Sequence, residues 1–149
     1  LAAPANATPP EMFHFSDSGS EPGFIQCDGF AIDLETTGTV DITVYFDETG
    51  EVVRFLQRVR ATDVFTNSVT GKTVVNRGVF QEVGTRVDGT DEFTTTLVGF
   101  QFMGTSPGEG LVLQDVGRTV FSAEGEIVFV AGQHKVREAE AEAFCAALS

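Results

Sequence analysis

From residue 24 onward the chain is an alternation of apolar and polar residues with a period of two, cut by turn signals. This pattern constrains the fold more than any other feature. A period of two puts successive side chains on opposite faces of an extended strand and leaves one face apolar. Phe30, Ile32 and Leu34 alternate with Ala31, Asp33 and Glu35, and Val40, Ile42, Val44 and Phe46 alternate with Asp41, Thr43 and Tyr45, with Gly38 between the two runs. Turns are expected at Asp47-Glu48-Thr49-Gly50, Asn67 to Lys72, Asp88-Gly89, Ser106-Pro107-Gly108 and Glu124-Gly125, where Gly, Asn and Asp tolerate positive φ. Asp88-Gly89 is the strongest two-residue hairpin signal of these.

Strands are therefore expected at 24–36, 40–46, 51–65, 73–84, 91–103, 110–122 and 126–134, with an eighth near 12–15. Several are long, and long consecutive hairpins suit an up-and-down meander whose free edges are best removed by closure. The fold class that follows is all-β: an antiparallel up-and-down barrel of about eight strands with a short C-terminal α-helix. That helix is read from Val136 to Leu148, where Ala and Glu dominate and Phe144 and Leu148 fall on one side. Residues 1–23, rich in Pro, Ala, Ser and Gly, read as a flexible N-terminal arm, and 24–149 as a single barrel domain.

Charge and composition narrow the function. The 149-residue length suits one domain. A net charge of −13 repels phosphate backbones and argues against nucleic acid as a partner. No apolar run reaches the ~20 residues of a membrane-spanning helix. Aromatics are 14 Phe and one Tyr with no Trp, which favours a greasy interior over a sugar-binding platform. The two cysteines, Cys27 and Cys145, lie near opposite ends of the domain and read as one disulfide; two buried free thiols are the alternative. The opening Leu1-Ala2-Ala3-Pro4 reads as a mature N-terminus left by signal-peptide cleavage, hence a secreted protein, with a trimmed chain as the alternative. Asn6-Ala7-Thr8 matches a glycosylation sequon.

Four fragments carry a resemblance: Thr66 to Lys72, Asp115 to Phe121, Ala131 to His134 and Ala143 to Leu148. With the run of hairpins, they resemble small secreted actinobacterial proteins of no assigned function. The architecture is similar to allene-oxide-cyclase-type barrels and, more loosely, to the calycins. That resemblance implies binding of small hydrophobic molecules and, in some members, guidance of a cyclisation. It implies no catalytic residue here, because no catalytic motif of those families matches.

Several constellations look chemical and are better explained structurally. Gly104-Thr105-Ser106-Pro107-Gly108 fits G-x-S-x-G, but Pro107 lacks the N–H an oxyanion hole needs, and a strand rather than a helix follows. Thr70-Gly71-Lys72-Thr73 lacks the upstream glycine of a phosphate loop, since Thr66 stands there. Asp88, Asp91 and Glu92 have no diagnostic cation-loop spacing, so neither metal nor cofactor is expected. Arg54, Arg58 and Arg60 share a strand face opposite Val53, Phe55, Gln57, Val59 and Ala61, and so are expected outside; the sharper reading sets one at a barrel mouth to hold a ligand carboxylate. Asp115 and Arg118 project to opposite faces, and Asp115 pairs with His134 across a hairpin as a structural or an orienting pair.

Three functions compete. The first is a secreted barrel whose interior residues Phe55, Phe80, Phe93, Phe100, Phe102 and Phe129 hold an apolar small molecule, oriented by Gln57, Asp115 or His134. The second is a cyclase-like enzyme working inside that interior. The third is a structural module in which the arm adds a strand to a neighbour. Strands apolar on both faces, such as 91–103 and 110–122, also point to a homo-oligomer.

Overall fold

The computed structural model describes the backbone of residues 8–149 and the side chains of that span outside 135–140. Asn6 and the first residues of the expected arm therefore lie outside the described residues. The elements are β1 (Glu11–Cys27), β2 (Phe30–Phe46), β3 (Val52–Asn67), β4 (Thr73–Arg86), β5 (Phe93–Ser106), β6 (Gly110–Phe121), β7 (Ile127–His134) and α1 (Lys135–Leu148). The strands form one antiparallel sheet in the order β1-β2-β3-β4-β5-β6-β7. This is the expected meander, but with seven strands, and the sheet is not closed: among the described residues β1 and β7 do not pair.

The difference in strand number has a local cause. Residues 11–23, expected as an arm with one short strand, run without a break into 24–27 and make up β1. The boundary expected at Gly38 falls instead at Asp28-Gly29, a two-residue turn in which Cys27 faces Phe30 and Gly29 has φ +83°. Gly38 sits inside β2, where a Cβ would stand 3.0 Å from the Arg60 carbonyl; glycine there allows close backbone approach rather than a turn. Asp88-Gly89 lies within a longer connection, since Arg86 faces Phe93 and Val87 N–H donates to the Glu92 carbonyl. An odd number of antiparallel strands leaves β1 and β7 pointing the same way, so direct closure requires a parallel pair.

One face of the sheet, its inner face, carries Ile32, Phe65, Val74, Phe102 and Leu113. These residues gather at a single end, and α1 packs there. The Phe144 ring lies 4.7 Å from that of Phe65 and 5.3 Å from that of Phe102, and Leu148 is fully buried. Cys145 is bonded to Cys27, as the sequence suggested. Asn67 Nδ2 donates to the Leu148 carbonyl, while Asn67 Oδ1 accepts from Val69 and Thr70 N–H, so one buried side chain fixes both a hairpin turn and the helix end.

The stretch Phe144–Leu148 rises only about 6 Å. It nevertheless touches β1 through Cys145, β3 through Leu148 and β5 through Phe144. In a flat sheet β1 and β5 would stand roughly 19 Å apart, so the sheet curls around the helix end. Gly99, Gly117 and Gly132 face one another across β5, β6 and β7 with φ of +127°, +149° and +116°. A Cβ on Gly117 or Gly132 would strike the opposing backbone. This row lets the sheet bend where a side chain would block it.

The disulfide closes a sequence separation of 118. By the chain-entropy model, removing it costs about 4–5 kcal/mol. The Cys27→Ser/Cys145→Ser variant is expected to show a correspondingly lower urea midpoint than the oxidised chain; coincident unfolding curves would contradict the assignment of this bridge as the main tie between helix and sheet.

Candidate functional site

Away from the helix, the inner face changes character. Phe55, Gln57 and Val59 on β3, Phe80 and Glu82 on β4, and Phe93 and Leu97 on β5 share this face by register and are half-buried. The Phe55 ring occupies the space where Gly84 has no side chain, and so reaches across β4 to within 5.7 Å of the Phe93 ring. Glu82 stands opposite Gln57 on the β3–β4 ladder. Partial burial, with no cation to offset it among the causes of its shift, pushes the Glu82 carboxyl above its ordinary range. Beside this surface, a recess of about 190 Å³ opens between Phe15 of β1, Thr36 and Val40 of β2 and Val59 of β3.

A polar belt separates this region from the core. Thr36 Oγ1 donates to Asp63 Oδ1, Asn76 Nδ2 donates to Asp63 Oδ2, and Asn76 Oδ1 accepts from Met103 N–H, all within 2.6–2.7 Å. The β4–β5 register shifts between Asn76 and Val79, and the Asn76 side chain supplies Met103 N–H with an acceptor near that irregularity.

The structure divides the aromatic residues singled out above. Phe55, Phe80 and Phe93, with Gln57, all lie on the inner face, Phe55 and Phe93 in ring contact and Phe80 four residues along β4 from Gly84. Phe102 is buried between Phe65 and Phe144 and is core, not lining. Phe100 and Phe129 face outward and are about half exposed, with the Arg118 guanidinium 5.7 Å from the Phe129 ring centre. A bulge between Phe100 and Phe102 breaks the period of two, so residues expected on one face take opposite ones.

Asp115 and His134 are both 5% exposed, and His134 Nδ1 lies 2.6 Å from Asp115 Oδ1. His134 Nε2 faces the Ala131 carbonyl at 3.2 Å. The pair sits at the packed end, with its hydrogen bonds satisfied within the protein, and does not join the Phe55 region. Arg54 and Arg60 lie outside, Arg54 over the Tyr45 ring and Arg60 3.6 Å from Asp41. Ser106 is buried at the end of β5, and its carbonyl accepts from Glu109 N–H, a hairpin rather than a nucleophile elbow. Lys72 pairs with Glu109 at 3.1 Å, tying two hairpins together. Among the described residues no group of three or more His, Cys, Asp or Glu side chains converges to hold a metal.

Glu82 was not among the residues singled out from the sequence. Its signal was there: it follows Phe80 by two in a regular strand, so any reading that turns Phe80 inward turns Glu82 inward as well. A carboxyl with a raised folded-state pKa favours the fold while protonated, below its value in the unfolded chain, and that contribution is lost as pH rises through the folded-state pKa. Glu82→Gln, neutral at every pH, is therefore expected to be more stable than the native chain at pH 7. The gap should close as pH falls below the unfolded value of 4.5. Urea midpoints at pH 7 and pH 3.5 measure it, and a pH-independent gap would contradict the burial argument. No family model, no curated protein and no solved structure matches the chain.

Proposed function

We propose that this is a secreted protein that binds a small, largely apolar molecule on the inner face of its curled sheet. The reading rests on one observation: the half-buried surface of Phe55, Phe80 and Phe93 lies on the same inner face as the polar pair Gln57 and Glu82. Binding sites combine apolar walls with a few placed polar groups, and a carboxyl opposite an amide suits a ligand hydroxyl. The kinship with allene-oxide-cyclase-type barrels and calycins belongs to this same proposal. For its cyclase-like variant, Glu82 is the inward ionisable group that such chemistry requires. Export is consistent with a disulfide-bonded chain in which, among the described residues, no helix is long and apolar enough to cross a membrane.

The test is fluorescence titration with cis-parinaric acid. Saturable binding is expected, weakened about tenfold or more by the Phe55→Ala/Phe80→Ala pair, as the loss of two half-buried rings implies. Unsaturable binding, or binding indifferent to that pair, would remove the proposal.

A second reading, self-assembly that completes the barrel, rests on β7. Ile127, Val128, Phe129 and Val130 are each about half exposed on a free sheet edge that carries no acid or base before His134. A strand from a second copy, laid between β1 and β7, would run antiparallel to both and be the eighth strand of a closed barrel. Light scattering is then expected to show an oligomer that Val128→Lys/Val130→Lys converts to monomer; a monomer for the native chain at micromolar concentration would dispose of it.

A further inference from the structure

The outer face carries a chain of three side chains that the binding reading does not use. His14 and Ser16 are two apart on β1 and project from one face, and the register sets Asp41 of β2 opposite His14. His14 Nδ1 lies 2.7 Å from Asp41 Oδ1, and Ser16 Oγ lies 3.4 Å from His14 Nε2. Hydroxyl, imidazole and carboxylate thus stand in the order of nucleophile, base and orienting group, with each ring nitrogen given its own partner. The hydrogen bond from His14, helped by Arg60 and Arg58, holds the Asp41 carboxyl below its ordinary range. It is an anion that fixes Nδ1 as the donor and leaves Nε2 to accept the hydroxyl proton.

Two features of the surroundings point the same way. Ser18 N–H donates to the Asp17 carboxylate at 2.8 Å, which places it on the free side of the edge strand β1 rather than toward β2. In an antiparallel ladder the direction repeats every second residue, so Ser16 N–H points to the same free side, close to its own Oγ. A backbone donor beside the nucleophile is what a developing oxyanion needs. Across the sheet, Ser16 faces Thr39 and Thr39 faces Arg60. Thr39 and Arg60 belong to a recess of about 360 Å³ that also takes in Thr37, Thr62 and Arg77. Two guanidinium groups in one recess are notable in a chain with 9 basic residues against 22 acidic ones. Their planar donor forks match a carboxylate.

We propose that Ser16 is an acyl-accepting nucleophile acting on small esters whose acyl part ends in a carboxylate, with Arg60 and Arg77 holding that carboxylate in the recess. Ser16 Oγ adds to the ester carbonyl carbon while its proton passes to His14 Nε2. Collapse of the tetrahedral adduct breaks the bond to the alcohol oxygen, and the alcohol leaves with that proton. Water then attacks the acyl carbon, giving a proton to His14; the acid departs and Ser16 recovers its hydroxyl. With His14 62% and Asp41 44% exposed, the relay is open to a substrate arriving from solvent.

The full, disulfide-intact chain is treated with a fluorophosphonate probe and, separately, with the 4-nitrophenyl esters of succinate and of acetate. One adduct is expected, on the peptide holding Ser16, absent in Ser16→Ala and at least about a hundredfold slower to form in His14→Gln, the scale of a general base. The succinate ester is expected to be preferred, and Arg60→Gln/Arg77→Gln to narrow that preference about tenfold, the scale of one charge-assisted contact. All of these side chains are surface groups, and unchanged melting curves establish that the variants fold. No adduct on Ser16, or hydrolysis by Ser16→Ala at the native rate, would overturn the proposal. An undiminished succinate preference in the arginine variant would overturn the assignment of the recess while leaving the nucleophile standing.

Discussion

A single antiparallel sheet cannot bury an apolar face without a second layer, and this chain supplies that layer at one end only, with the last turns of its helix. Phe144 and Leu148 fill the curl of the sheet, and burying two such side chains contributes on the order of 3–6 kcal/mol. The Cys27–Cys145 bridge holds the helix to the first strand, and Asn67 holds its last carbonyl to the third. The curvature of the sheet, the dryness of one end and the openness of the other all depend on this knot.

A gradient along the strands follows. At the helix end, polar groups are buried and paired: Asp115 with His134, Asn67 with the helix terminus, Asn76 with Asp63 and Met103. Low-dielectric surroundings make each such group costly unless satisfied, so they hold one packing rather than offer chemistry. At the far end no helix among the described residues covers the inner face, and Phe55, Phe80 and Phe93 remain half-buried on the face that carries a carboxyl whose pKa is raised. The same sheet is thus a closed core at one end and an accessible apolar surface at the other.

The two edge strands differ as sharply as the two ends. β1 carries Glu11, His14, Asp17 and Glu21, charges that discourage edge-to-edge pairing, while β7 from Ile127 to Gln133 carries none. The charged edge is also where hydroxyl, imidazole and carboxylate meet, so the residues that protect the strand include those of the proposed relay. The inner face and the outer face therefore present different chemistry from alternate residues of the same strands.

What the sequence determined alone was whatever is local. Alternation marked the strands, Gly and Asp marked most turns, Ala and Glu marked the helix, and two cysteines left one pairing to make. Even the outward setting of Arg54 and Arg60 followed from the phase of a single strand. The tertiary structure decided what depends on register. Asp28-Gly29 and Gly38 are both plausible breaks, and only the pairing of Cys27 with Phe30 chose between them. One bulge inverted the phase of β5 and sent Phe100 outward while Phe102 went into the core. Glu82 was legible in its strand, whereas its partnership with Gln57 was not. Asp41 meets His14 across 27 residues of chain, a separation that no local pattern encodes. Strand pairing is a contest among non-local alignments, settled by packing around the helix end and by backbone irregularities, and it is there that both candidate sites were assembled.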